Sequence, residues 1–213
     1  MIPKPYYQDE HVTLYCGDCR EILPELGKFD LLIADPPYGI EFEGSSASTR
    51  IWQGVAGDST TDCAKFAIQG TKCCKERVVF GANTFPELLP HRGRWICWDK
   101  RLTEAADKML GSAFELAWID RASGFDRMFR KLHGGVVNAD GGRRVHPMQK
   151  PVGLYRDIIN TMFEDAQTIL DPFAGSCTTG VAAKLEGRHA TLIEISERYC
   201  EIGVERLRQG VLF

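Results

Sequence analysis

With 213 residues, 44% of them hydrophobic and 26% charged, the chain has the size and balance of one globular domain, which excludes wholesale disorder. No apolar run reaches the ~18 residues of a membrane helix, and Met1-Ile2-Pro3-Lys4-Pro5 lacks the apolar stretch of a secretory signal, so a cytoplasmic protein is expected. As a total, the net charge of −3 speaks against a nucleic-acid partner.

Short β-like runs alternate with amphipathic stretches, the pattern of an open sheet with helices on both faces. Strands are predicted near 12–16, 29–34, 77–82, 94–98, 114–119, 167–170 and 189–193, seven in all. Helices are predicted near 19–27, 62–76, 103–111, 152–164, 177–186 and 196–208. The whole of 1–213 reads as a single domain, irregular at 39–61, rich in Gly and Ser, and at 133–150, with Gly and Arg. Loops of that length inside a compact domain are usually functional. The eight cysteines, at 16, 19, 63, 73, 74, 97, 177 and 200, are too sparse for a disulfide scaffold. Cys16-x-x-Cys19 has zinc-ligand spacing, but no second pair completes four ligands, so free thiols and no metal are expected.

Four apolar runs end in an acid: Val12–Cys16 reaches Asp18, Leu31–Ala34 reaches Asp35, Thr168–Leu170 reaches Asp171 and Ala190–Ile193 reaches Glu194. Ligands of open parallel sheets bind outside the carboxyl ends of the strands, where four carboxylates suit a cationic ligand rich in hydroxyl and amine donors. Any one of them could instead cap the helix that follows. The segment Asp171-Pro-Phe-Ala-Gly175-Ser-Cys177-Thr-Thr-Gly180 stands between a predicted strand and helix, as a nucleotide-binding glycine turn does. Gly175 would make the tight turn and Gly180 would bring the helix close to the sheet. Cys177 replaces the middle glycine that lets a pyrophosphate approach, so NAD and FAD are disfavoured. Glu194 follows Gly175 by 19 residues, the place of an acid on ribose hydroxyls. An adenosine ligand without a pyrophosphate points to S-adenosylmethionine.

Asp35-Pro36-Pro37-Tyr38 follows the strand at 29–34. Two prolines end a sheet ladder in a rigid turn, and a single one would be an ordinary terminator. The exocyclic amine of adenine or cytosine is a poor nucleophile, because its lone pair is delocalised into the ring. A carboxylate and a fixed backbone carbonyl accepting its two hydrogens would make it reactive, and Tyr38 could stack on an extruded base.

On these residues the sequence resembles the DNA amino-methyltransferases, most of all the small adenine enzymes of phages and prophages. The resemblance extends to Trp95–Lys100, Arg144–Pro151 and Tyr199 with Arg206. It implies a Rossmann-like methyltransferase fold, doubly wound and mostly parallel, with the catalytic motif first and the cofactor motif last, the circularly permuted "beta" order. Asp35, Pro36, Pro37 and Tyr38 become the catalytic turn. Asp18, Asp35, Lys150, Asp171, Phe173, Gly175, Ser176, Thr178 and Glu194 become S-adenosylmethionine contacts, Asp18 near the adenine and the segment His146–Pro151 near the methionine end. Two departures stand out: Cys177 replaces a glycine and could crowd the methionine moiety, and Met148 replaces a threonine.

The charge divides sharply along the chain. Residues 1–62 hold four basic side chains against eleven acids, a net −7, whereas 121–150 hold seven against two, a net +5. Arg127, Arg130, Arg143 and Arg144 are therefore candidate phosphate contacts, with 39–61 and 120–146 as candidate DNA-contacting insertions and Phe42 and Trp52 as candidate base-stacking side chains. The expected activity is methyl transfer from S-adenosylmethionine to the adenine amine in DNA by base flipping. Cytosine-amine transfer, and a DNA- or cofactor-binding relative with weak turnover, are the alternatives. So short a chain leaves little for reading DNA sequence, so a short recognition site or help from a second subunit, a homodimer, is expected.

Overall fold

The computed structural model describes residues 3–39, 56–101, 112–134, 137–138, 145–146 and 148–209. In chain order the strands are β1 (Tyr7–Gln8), β2 (Val12–Cys16), β3 (Phe29–Ala34), β4 (Cys74–Phe80), β5 (Arg94–Asp99), β6 (Phe114–Ile119), β7 (Arg127–Arg130), β8 (His133–Gly134), β9 (Val137–Asn138), β10 (Thr168–Asp171) and β11 (His189–Glu194). The helices are α1 (Cys19–Ile22), α2 (Asp62–Lys65), α3 (Val152–Met162), α4 (Thr178–Leu185) and α5 (Glu197–Arg208). Among the described residues nine strands form one sheet in the order β1-β2-β11-β10-β3-β4-β6-β5-β7, and β8 and β9 pair as a separate hairpin. The five strands from β2 to β4 in that order run parallel, β6 reverses, and β7 lies parallel to β5.

Period-two alternation builds the two layers. Along β3, Leu31 and Ile33 face one core together with Leu154, Ile158, Ile159, Ala182 and Leu207 of the helices α3, α4 and α5. Leu32 and Ala34 face the other, with Ala64, Ala67, Ile68 and Phe85. Both faces of β3 are covered, which is why it reads as a continuous apolar run. Gly180 of α4 is the close-approach residue expected: a Cβ there would come within 2.6 Å of Leu192 on β11.

The seven predicted strands are all present, but the sheet has nine. The additions are edge strands whose residues carry little apolar signal: β1 is two residues long, and β7 reads Arg-Met-Phe-Arg with three of four exposed. β7 also puts a strand inside 120–146, the second of the candidate DNA-contacting insertions. The helix predicted at 62–76 is a correction as well. Its helical turns end at Gly70, where a Cβ would overlap the Phe66 ring, and β4 already begins at Cys74. The helix predicted at 103–111 lies outside the described residues, as do Phe42 and Trp52. No described helix is long and apolar enough to cross a membrane.

Candidate active site at the carboxyl edge of the sheet

The strand order turns four scattered acids into a row. β2, β11, β10 and β3 are consecutive neighbours, so Asp18, Glu194, Asp171 and Asp35 follow one another along the carboxyl edge. At ~4.8 Å per strand the row spans about 14 Å. The chain leaves β3 for β4 on one side and β10 for β11 on the other, which makes the β3–β10 seam the switch point where ligands of such sheets bind. A cavity of about 320 Å³ opens over this edge, and all four acids line it, with Pro36, Pro37, Tyr38, Lys150, Phe173, Gly175, Ser176 and Thr178. That volume suits a small-molecule ligand.

Each acid is held differently. Asp18 caps α1, accepting from Arg20 N at 2.9 Å and pairing with the Arg20 guanidinium, and the same side chain lines the cavity. Glu194 accepts from Gly175 N and Ser196 N, each at 2.8 Å, and ties β11 to the glycine turn. Asp171 accepts from Phe173 N at 3.0 Å and from the Thr179 hydroxyl at 2.5 Å. Burial raises its carboxyl to about 7, against those two bonds, with the Asp35 and Glu194 charges adding to the rise.

Asp35 carries the densest network. Tyr38 donates its hydroxyl to Oδ1 at 2.5 Å, and Lys150 donates to Oδ2 at 2.6 Å. Lys150 Nζ is also 3.1 Å from Glu115 Oε2, an ion-pair contact without hydrogen-bond alignment, while Lys100 bonds Glu115 Oε1 at 2.5 Å. Burial pushes the Asp35 carboxyl above the usual carboxylate range although Lys150 pulls it down. Burial also acts to raise Glu115, but Lys150 and Lys100 outweigh it and hold that carboxyl at about 2. Lys150, only 4% exposed, keeps its proton because two carboxylates face it. The Tyr38 ring occupies space left by Gly81, where a Cβ would come within 2.2 Å of it. It lines the cavity wall with its hydroxyl committed to Asp35, a hydrogen bond that the stacking role alone does not foresee.

The glycine turn corrects the expectation for Cys177. Gly175 has φ +50 and Cys177 has φ +61, so the backbone keeps the left-handed shape that a glycine would give it. The Cys177 side chain is fully buried and turned towards α5, where Gly203 leaves room: a Cβ at 203 would meet Sγ at 2.3 Å. It does not line the cavity, so it does not crowd a ligand there. Arg206 of α5 clamps the same turn through the Ser176 carbonyl, the Ser176 hydroxyl at 2.9 Å and the Thr178 hydroxyl at 3.2 Å. The His146 ring sits against Gly175 and meets the Tyr199 ring edge-on at 4.3 Å, closing one end of the cavity.

Of the candidate phosphate contacts, Arg127 and Arg130 are exposed on β7, the outermost strand. Arg130, opposite Asp99 at the carboxyl end of β5, stands on the side of the cavity, with Arg127 three residues back. Arg143 and Arg144 lie outside the described residues. All eight cysteines are free thiols, and among the described residues no group of His, Cys, Asp or Glu could hold a metal. Sequence reasoning missed Glu115 as a site residue; its one signal was an acid near the start of an otherwise apolar strand, Phe114–Ile119.

Comparison with known proteins agrees with this geometry. The model of the N6_N4_Mtase family, described as DNA methylase, matches residues 95–205, more than half of the chain. The chain belongs to this DNA methylase family. Among relatives of this DNA methylase, the Type II methyltransferase M.ScaI of Streptomyces caespitosus is 26% identical over 96% of the chain and 84% of its own length. The DNA adenine methyltransferase YhdJ of Escherichia coli is 45% identical over a shorter stretch, 29% of the chain and 21% of its own. Solved structures share the fold: the M1.HpyAVI–SAM complex superposes with a TM-score of 0.59 at 18% identity, covering 92% of this chain and 98% of the other. The PvuII DNA methyltransferase, described as cytosine-N4-specific, gives 0.64 at 17% identity over 95% and 88%. The methylase fold is thus the Rossmann-like one, and the chemistry of the family is methylation of DNA amines.

Proposed function

We propose that this protein transfers a methyl group from S-adenosylmethionine to the N6 amine of adenine in DNA. The observation that carries the reading is the seam itself: Asp35-Pro36-Pro37-Tyr38 leaves β3 next to the glycine turn that leaves β10, over one cavity. The donor set fits the cofactor. Glu194 and Asp18 offer carboxylates to hydroxyl and amine donors, and Asp171 offers a buried carboxylate to a cation. Gly175, Ser176 and Thr178 form the turn below, and Phe173 supplies an apolar wall. When bound, S-adenosylmethionine supplies an electrophilic methyl group on a cationic sulfur.

The protein's own residues would prepare the nucleophile. Asp35 accepts one hydrogen of the base amine and the Pro36 carbonyl the other, drawing the nitrogen lone pair out of the ring. Tyr38 offers its ring to the extruded base once its hydroxyl leaves Asp35, at the cost of one charge-assisted bond. An acid in the first position of the turn favours adenine, since serine is the more usual residue in cytosine enzymes of this resemblance; the relative YhdJ, an adenine methyltransferase by description, agrees. Exposed Arg127 and Arg130 would meet phosphates, as would Arg143 and Arg144, within a single catalytic domain whose segments 39–61 and 120–146 approach the DNA.

The test is direct. Incubation with tritiated S-adenosylmethionine and unmethylated duplex DNA, followed by digestion to nucleosides, should place the label in N6-methyladenosine. Label in N4-methylcytidine would transfer the same chemistry to cytosine, and no label above background would overturn the reading.

A further inference from the structure

Buried Lys150 is shared between two partly buried carboxylates, of which Asp35 lines the cavity and Glu115 does not. It lies 2.6 Å from Asp35 Oδ2 with hydrogen-bond alignment and 3.1 Å from Glu115 Oε2 without it. Glu115 does not line the cavity, whereas Asp35 and Lys150 do, so Glu115 acts on the reaction through Lys150 and through the field of its own charge at Asp35. Lys100, 14% exposed, takes the other oxygen of Glu115. The charged and titratable groups around Asp35 are therefore Tyr38 from its own turn, Lys150 from the segment entering α3, Tyr155 from α3 itself, Glu115 from β6 with Lys100 behind it, and Asp171 from β10.

Methylation of an amine releases a proton. The nitrogen forms a bond to the methyl carbon, the carbon–sulfur bond leaves its electron pair on sulfur, and the nitrogen then sheds one hydrogen as H+. Asp35 is the carboxylate placed to take that proton and pass it to water. A lysine bound to Asp35 alone would stabilise its ionised form and weaken it as a base. A second carboxylate on the same ammonium opposes this effect.

We propose that Glu115 is a positioning residue for methyl transfer, one that divides the charge of Lys150 and so keeps Asp35 basic enough to accept the proton of the amine. The inference rests on the methyl-transfer reading, but its primary test does not need turnover. Protein labelled with 13C at the aspartate carboxyls is titrated by NMR, with Asp35→Asn identifying the Asp35 signal. Glu115→Gln leaves Lys150 to Asp35 alone and should move the Asp35 titration down by about one pH unit. Lys100→Gln removes a cation from the far side of Glu115 and should move it up. Opposite displacements by the two variants support the proposal; an unmoved signal, or the same displacement in both, overturns it. Turnover is read separately. In an active enzyme, Glu115→Gln should shift the acid limb of the kcat profile in the same direction and leave the KM for S-adenosylmethionine unchanged, whereas a merely structural role would lower kcat equally at every pH.

Discussion

Removing Lys150 should cost stability in an amount that depends on pH. Lys150→Met keeps an aliphatic stem of similar length but removes the ammonium from Asp35, from Glu115 and from its place 5.1 Å over the Phe80 ring. Glu115 retains Lys100, so the burden falls on Asp35, whose side chain is 12% exposed. A carboxylate left unpaired in such a place costs about 3–5 kcal/mol, unless it takes up a proton instead. Protonation limits the cost. From the ordinary value of 3.8, each pH unit is worth ~1.4 kcal/mol, so neutralising Asp35 costs about 4 kcal/mol at pH 7 but only about 1.6 at pH 5. The sign follows from linkage: Asp35 is already raised above 3.8 while Lys150 opposes the rise, so without Lys150 it keeps its proton to higher pH than in the parent, and the variant loses stability relative to the parent as pH rises through that window. Urea denaturation of both proteins at pH 5, 6 and 7 measures the difference. The gap should widen by about 2–3 kcal/mol from pH 5 to pH 7. A gap of equal size throughout would refute the claim that Lys150 stabilises an ionised, buried Asp35.

Gly81→Ala places a methyl group in the Tyr38 ring at a φ of +69, so it should cost about 1–3 kcal/mol and abolish methyl transfer; thermal melting and labelling report the two effects. Because Asp171 titrates near 7, affinity for S-adenosylmethionine should fall up to about tenfold per pH unit below that point, and the neutral thioether product should show a weaker dependence in calorimetric titration. Gly203→Ala should destabilise the fold by driving its Cβ into Cys177 Sγ, and adding Cys177→Gly should recover most of the loss, a coupling that a double-mutant cycle in urea measures directly. Cys177→Gly by itself should leave cofactor affinity within about twofold, since the thiol faces α5 and not the cavity.

The central strands and the placement of the candidate site were legible because their signals are local. Buried parallel strands write themselves as apolar runs, and an acid or a pair of prolines at the end of such a run marks the carboxyl edge, as Asp35 and Asp171 do. What failed depended on distant partners. β7 is a strand because β5 offers it a ladder, and nothing in Arg-Met-Phe-Arg announces that. The direction of the Cys177 side chain is set by Gly203, 26 residues further on, so an inspection of the turn alone points the thiol the wrong way. Glu115 becomes a site residue only when β6 is placed beside β4 and Lys150 folds across them. The row of acids was foreseen as a set, but its order along the edge is a property of sheet topology.

The stitching between β3 and β10 carries a consequence for the way the protein comes into being. Asp30 at the start of β3 receives the backbone N–H groups of Gln167 and Thr168 and the Thr168 hydroxyl, across 138 residues of chain in the case of Thr168. During synthesis Asp35 therefore emerges long before the glycine turn that follows β10, and the central sheet stays split until residue 168 and those after it have left the ribosome. Conversely, everything between these two strands forms a closed excursion that begins and ends at one seam. Its length can change without altering the seam, which makes that excursion the place where a chain of this design can acquire a new way of reading DNA.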